Sequence, residues 1–102
     1  MPRISLGFHP EAGAEYAEAF RWYRERGAGL ATAFAEEISR ALRLIRETPD
    51  RWPRYSTRHR RILVRRFPYW LIYLATDSRI WIVAVAHTSR RPGYWRARRV
   101  PG

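Results

Sequence analysis

The chain has 102 residues and 46% of them are hydrophobic, which suits one domain with a single modest core and excludes a two-domain enzyme. Cysteine is absent, so a disulfide framework and a thiolate zinc site are also excluded. The net charge is +11, and no apolar stretch is long enough to cross a membrane or to act as a signal sequence, so we expect a basic cytoplasmic protein without a membrane partner.

The first half of the chain predicts a short strand followed by a helical hairpin. Residues 3–8 alternate with period two, which predicts a strand with its apolar side chains facing the core. Residues 9–11 are typical of a helix start, because proline costs nothing in the first turn, and Gly27 stands where a left-handed cap would end the helix. A second helix begins within two or three residues and stops at Pro49, so the two helices form an antiparallel hairpin. The apolar positions are Ile4, Leu6 and Phe8 in the strand, Ala12, Tyr16, Ala19, Phe20 and Tyr23 in the first helix, and Leu30, Phe34, Ile38, Ala41, Leu42 and Ile45 in the second.

Three strands and a basic tail are predicted after the hairpin. Residues 50–57 have no periodicity and form a loop, and a short polar turn at residues 76–79 joins the last two strands. The strands span residues 60–67, 69–76 and 79–87, and the tail spans residues 88–102. We therefore predict a single small α+β domain over residues 1–102, in the order βααβββ, with the helical hairpin packed on one face of a largely antiparallel sheet.

The last two strands are apolar on both faces. Two helices can cover only one face of their sheet, so the second face needs a cover as well. The C-terminal tail, a second copy of the chain and an external partner are the three alternatives. In the strand at residues 69–76, one face carries Tyr69, Leu71, Tyr73 and Ala75, and the other carries Trp70, Ile72 and Leu74. In the strand at residues 79–87, one face carries Ile80, Ile82, Ala84 and Ala86, and the other carries Trp81, Val83, Val85 and His87.

The positive charge is concentrated in the second half of the chain. Residues 1–50 carry seven arginines and eight acidic residues, whereas residues 51–102 carry thirteen arginines and one acidic residue, Asp77, and the chain has no lysine. Such a surface favours an acidic partner, either nucleic acid or an acidic protein segment. The alternative is a solvated face that contributes only to solubility.

Four segments in this order resemble the RelE/ParE toxins of bacterial toxin–antitoxin (plasmid-stabilisation) modules. They are Glu47 to Pro53, Arg65 to Tyr69, Tyr73, and Val85 to Trp95. The resemblance covers nearly the whole chain, from Phe8 to Trp95. It implies a compact toxin that is neutralised by a cognate antitoxin, whose C-terminal segment wraps the surface of the toxin.

The resemblance implies one of two activities. One branch of the family cuts mRNA in the ribosomal A site, which requires deprotonation of a 2′-hydroxyl, stabilisation of the phosphorane and protonation of the 5′-oxygen. The ParE-like branch binds and inhibits DNA gyrase. The cutting relatives carry basic residues where this chain has Trp70 and Thr88, and they carry lysines on the second strand. We therefore expect a ParE-like gyrase inhibitor, with a ribosome-dependent mRNA endonuclease as the alternative and a free-standing basic nucleic-acid-binding protein as a further one.

A nuclease would need a group that titrates near neutral pH, and His87 is the candidate. The catalytic residues of such a nuclease would be His87, Arg61, Arg66 and Tyr94. Arg61 could supply only positive charge, because its pKa is too high for a base. The alternative role of His87 is a hydrogen bond to a backbone carbonyl where the last strand meets the tail. Three scattered histidines without paired carboxylates predict no metal site, and we expect no cofactor.

The predicted partner site is a groove for an acidic antitoxin. A terminal helix or strand of the antitoxin would lay apolar side chains beside Trp81, Val83 and Val85, within a ring of arginines. Apolar burial would supply most of the affinity, and charge would mainly speed the encounter. The remaining residues of this predicted site are Arg60, Arg61, Arg65, Arg66, Arg90, Arg91, Tyr94 and Trp95.

Overall fold

The order of elements is the predicted βααβββ, in a computed structural model that describes residues 5–101. The elements are β1 Ser5–Phe8, α1 Pro10–Arg26, α2 Ala28–Glu47, β2 Arg60–Leu63, β3 Tyr69–Ala75 and β4 Arg79–His87. The sheet has the order β1-β4-β3-β2, in which β1 is parallel to β4 and the other two pairs are antiparallel. The predicted α+β class and largely antiparallel sheet are therefore confirmed. Arg3 and Ile4, which were also expected in the first strand, lie outside the described residues.

The helical hairpin forms as expected, with two differences at its tip. Pro10 occupies the first turn of α1, and the Glu11 N–H donates to Nδ1 of His9 at 3.1 Å. Gly27 alone separates the helices, and its φ of 158° and ψ of 129° are not those of the expected left-handed cap. Leu30 is exposed rather than part of the apolar stripe, because it lies in the first turn of α2, at the tip of the hairpin.

The strand β2 is shorter than predicted and ends at Leu63. The chain reverses directly afterwards, since the Val64 N–H bonds to the Tyr69 carbonyl at 2.9 Å and the Tyr69 N–H bonds to the Phe67 carbonyl at 2.8 Å. Arg66 has a positive backbone φ of 71°, a value that residues other than glycine seldom adopt. Residues 65–68 therefore form a tight turn instead of continuing the strand.

The alternation predicted for the last strand is wrong beyond Val83. β3 pairs Ile72 with Ala84 and Tyr73 with Ile82, so Val83 has no partner opposite it. Such a bulge shifts the following side chains to the other face of the sheet. Val85 consequently faces the helices, and Ala84 faces away from them.

Each face of the sheet has its own core. On the helix-facing side, Phe34, Ile45 and Leu71 are fully buried among the side chains of α1, α2 and the sheet. On the opposite side the C-terminal tail supplies the cover, because Trp95 is only 1% exposed and packs with Ile72, Val83 and their neighbours. Of the three alternatives for the second face, the tail is the one that the structure shows. We call the two sides of the sheet the helix-facing side and the tail-facing side.

Candidate partner-binding surface

The tail is fastened to α1 by a cluster around the carboxylate of Glu15. Nη1 and Nη2 of Arg98 each lie 2.9 Å from one oxygen of Glu15, and the Tyr94 hydroxyl donates to Oε2 at 2.6 Å. The Val85 N–H donates to Oε1 at 3.0 Å, and Nη1 of Arg98 also donates to the Val83 carbonyl at 2.9 Å. β1 pairs with β4 only as far as Ile82, so these side chains satisfy backbone groups that no strand of the described chain reaches.

This cluster changes the ionisation of its members. Burial by itself raises the pKa of Glu15, but the hydrogen bonds from Arg98, Tyr94 and the Val85 N–H, together with the charge of Arg98, outweigh it and hold the pKa below its ordinary value. Burial and the bond to Glu15 raise the pKa of Tyr94. The Tyr94 hydroxyl is therefore committed to Glu15 as a donor and is a poor proton source for a substrate.

The four residues of the predicted nuclease constellation do not converge. Arg61 lies on the tail-facing side, with its guanidinium carbon 4.0 Å from the ring centroid of Tyr55 and 3.9 Å from that of Trp70. The bulge places His87 on the helix-facing side, on the other side of the sheet from Arg61. Arg66 is exposed in the turn between β2 and β3.

His87 has a local role where β4 meets the tail. Its Nδ1 accepts the Ser89 N–H at 3.0 Å and lies 2.7 Å from the Ser89 hydroxyl oxygen. The ring packs edge-on against Tyr69, with 5.1 Å between centroids. His87 thus caps a backbone N–H, whereas the sequence suggested a backbone carbonyl as the alternative partner.

The predicted apolar groove beside β4 is not open. Val83 and Val85 are both buried, and the bulge turns them toward opposite sides of the sheet. Trp81 is partly exposed, with the guanidinium of Arg79 lying 4.5 Å from its ring centroid. Trp95, expected to contact a partner, instead fills the tail-facing core.

The predicted arginines, in contrast, remain largely available. Arg65, Arg66, Arg90 and Arg91 are exposed, and Arg60 and Arg61 are partly so. Within residues 5–101, the ion pairs of the thirteen arginines in the second half involve only Arg65 and Arg98. The positive charge that the sequence located in this half is therefore mostly unneutralised by the chain itself.

Sequence reasoning missed a cleft between α1 and the end of β4. Its volume is about 490 Å³, and its walls include Trp22, Tyr23, Tyr69 and Val85, with His87 among its lining residues. Trp22 is 48% exposed, with the guanidinium carbon of Arg26 only 3.4 Å from its ring centroid. The sequence signal that could have revealed the cleft is Trp22, a tryptophan outside the apolar stripe of α1. The cleft adds an aromatic surface on which a partner can dock.

Neither a membrane span nor a metal site is found in the part of the chain that the structure describes. No helix within residues 5–101 is long and apolar enough to cross a membrane. The same residues contain no cluster of three or more His, Asp or Glu side chains that could hold a metal ion.

The chain is similar in sequence to a family of known proteins and similar in fold to a solved structure. The family model described as the ParE toxin of the type II toxin–antitoxin system parDE matches residues 6–92. A chain of a solved structure, described as the chromosomal ParDE TA system from P. aeruginosa, superposes with a TM-score of 0.74 at 15% identity. That match covers 85% of this chain and 98% of the other, which shows a common fold. No curated protein matches the chain.

Proposed function

This chain belongs to the ParE toxin family of type II toxin–antitoxin systems, and from that premise we propose that it inhibits growth by binding DNA gyrase and is neutralised by an acidic antitoxin. The observation that carries the proposal is the family match over residues 6–92, which contains five of the six elements completely and all of β1 except Ser5. Gyrase as the target places its action in the cytoplasm.

Inhibition by binding, rather than by cutting RNA, is supported by the placement of the candidate residues. A cutting site requires an acid, a base and a cation around one phosphate. His87 and Arg61 lie on opposite sides of the sheet, and the Tyr94 hydroxyl is bonded to Glu15. Among the described residues, the His87 ring forms hydrogen bonds to Ser89 and none to Arg61, Arg66 or Tyr94.

An acidic antitoxin is supported by the charge that the toxin leaves uncompensated. The net charge is +11. Arg90 is exposed and lines the aromatic cleft, and Arg91, which follows it in the chain, is also exposed. A partner with apolar anchors and surrounding carboxylates matches both features.

The experiment compares two activities of the purified toxin and of a His87→Ala variant. We expect both proteins to inhibit supercoiling by gyrase equally and to leave ribosome-bound mRNA intact. Co-expression with the small acidic protein encoded beside the gene should restore growth in both cases. Cuts in translated mRNA that disappear in His87→Ala would overturn the gyrase proposal in favour of the endonuclease. The absence of any neutralising acidic neighbour would overturn the antitoxin partnership.

A further inference from the structure

The outer edge of β2 is half open. β2 is the last strand in the order β1-β4-β3-β2. The Val64 N–H bonds to the Tyr69 carbonyl, and the backbone groups of an antiparallel strand point alternately toward its partner and away from it. Ile62 therefore points its N–H and C=O toward β3, whereas Arg61 and Leu63 point theirs outward.

The preceding loop covers only the beginning of this edge. The outward N–H of Arg61 bonds to the Pro53 carbonyl at 3.1 Å, and Arg54 forms an isolated antiparallel bridge with Arg60. Within residues 5–101, the backbone of Leu63 forms no hydrogen bond to a loop or a turn. Leu63 is 52% exposed, and its side chain lies opposite Trp70 on the tail-facing side. An apolar side chain and two outward backbone groups thus stand together on an uncovered strand edge.

Arginines surround this open segment. Arg61 precedes Leu63 on the same side of the sheet, and Arg65 and Arg66 follow it in the turn. The nearest approach of Arg65 to a carboxylate is 3.9 Å, to Glu37, with the Arg65 side chain 64% exposed, so that this pair is weak. Charged residues on an edge prevent pairing with a like-charged strand. They exclude the β2 edge of a second copy of this chain and favour an acidic strand.

The conformation of Arg66 also points to an occupant. Its φ of 71° is a left-handed conformation, which costs a residue other than glycine about 1 kcal/mol or more. The side chain is exposed, and no ion pair within the described residues involves it. Such conformations concentrate at active sites and ligand-binding segments.

We propose that the open half of the β2 edge, from Leu63 to Arg66, binds an extended acidic segment of a partner protein as an added strand. The segment pairs its backbone with Leu63, packs an apolar side chain on the Leu63 side chain and places the carboxylates that alternate with its apolar side chains against Arg65 and Arg66 in the turn. Backbone pairing of this kind provides affinity, and the alternating side chains provide specificity. The inference rests on the proposed function in that the antitoxin is the partner expected to supply the segment.

The test uses a synthetic peptide of alternating glutamate and valine as the probe. Binding to the full chain is measured by fluorescence anisotropy, and exchange of the Leu63 amide is followed by NMR. We expect saturable binding, at least about tenfold slower exchange at Leu63, and no binding of the same peptide with a central proline or with lysine in place of glutamate.

Two variants of Leu63 separate the backbone from the side chain. Leu63→Pro removes the outward N–H, which an edge strand tolerates, and should weaken binding about tenfold, whereas Leu63→Ile should bind like the parent. Arg65→Glu leaves the backbone unchanged and should also weaken binding, which keeps the test valid if Leu63→Pro unfolds. Failure of the peptide to bind, equal binding by Leu63→Pro, or protection of Leu63 by an oligonucleotide in its place would overturn the proposal. None of these results depends on gyrase inhibition, so the edge site and the proposed function can fail independently.

Discussion

Glu15 is the residue on which the side-chain hydrogen bonds of Tyr94 and Arg98, both in the tail, converge. Its carboxylate accepts hydrogen bonds from Arg98, Tyr94 and the Val85 N–H. Arg98 in turn satisfies the Val83 carbonyl at the bulge. Removal of the carboxylate would leave the largely buried guanidinium of Arg98 with only the exposed Glu11, 3.3 Å from its Nε, as a counterion. Removing one partner of a buried ion pair in this way is strongly destabilising.

We expect Glu15→Gln to lower the free energy of unfolding by about 2–3 kcal/mol near neutral pH. The pKa of Glu15 is lowered in the folded protein. Its contribution is therefore complete above the ordinary glutamate pKa and is lost as the pH falls through the lowered value. Urea denaturation at several pH values between about 7 and 3 should show the difference between parent and variant shrinking in acid.

The control for this measurement is Glu25→Gln, a change at an exposed position on the same helix. It should alter stability by no more than about 0.5 kcal/mol. A difference between parent and Glu15→Gln that grew as the pH fell would contradict the assigned direction of the pKa shift.

The tail acts as a structural element although its described residues, 88–101, form neither helix nor strand. Its anchor is Trp95, which is 1% exposed and contacts the rings of Tyr55 and His59, with centroids 5.6 and 4.6 Å away. Burial of the His59 ring lowers its pKa, and the charges of Arg58 and Arg96 act in the same direction. The tail thus completes the fold by covering the second face of the sheet.

Trp95→Ala should destabilise the protein by about 3–5 kcal/mol, because it removes the largest side chain of the tail-facing core. The released tail should become sensitive to trypsin at Arg96, Arg98 and Arg99. Thermal denaturation and limited proteolysis measure the two effects. Trp22→Ala, which truncates an exposed tryptophan of α1, is the matched control and should cost less than about 1 kcal/mol. Equal losses in the two variants would show that the tail is not part of the core.

For the whole molecule, the charge asymmetry should govern how fast a partner arrives. The surplus of arginines in residues 51–102 has few intramolecular ion pairs, so its field extends into solvent and is screened by salt. We expect the association rate with the acidic antitoxin to fall about tenfold or more between low and high ionic strength, with a smaller change in dissociation. Stopped-flow mixing measures both rates, and a double variant Arg90→Gln/Arg91→Gln should show a shallower salt dependence. An association rate that does not respond to salt would contradict this expectation.

The sequence by itself determined the order of elements, the helical hairpin and the location of the charge. These features depend on local periodicity, on helix-ending residues such as Gly27 and Pro49, and on composition, all of which can be read over a few neighbouring residues. The resemblance of four segments to a toxin family was likewise sufficient to predict the family to which the chain belongs.

The tertiary structure alone decided which residues meet. β4 is apolar at nearly every position, so its sequence contains no signal for the bulge at Val83 that moves Val85 and His87 to the helix-facing side. Glu15 lies 79 residues from Tyr94 and 83 from Arg98, and no local pattern links positions so far apart. The tail could be placed over the sheet only when all strands were present, because the face that Trp95 covers is formed by the pairing of β3 with β4.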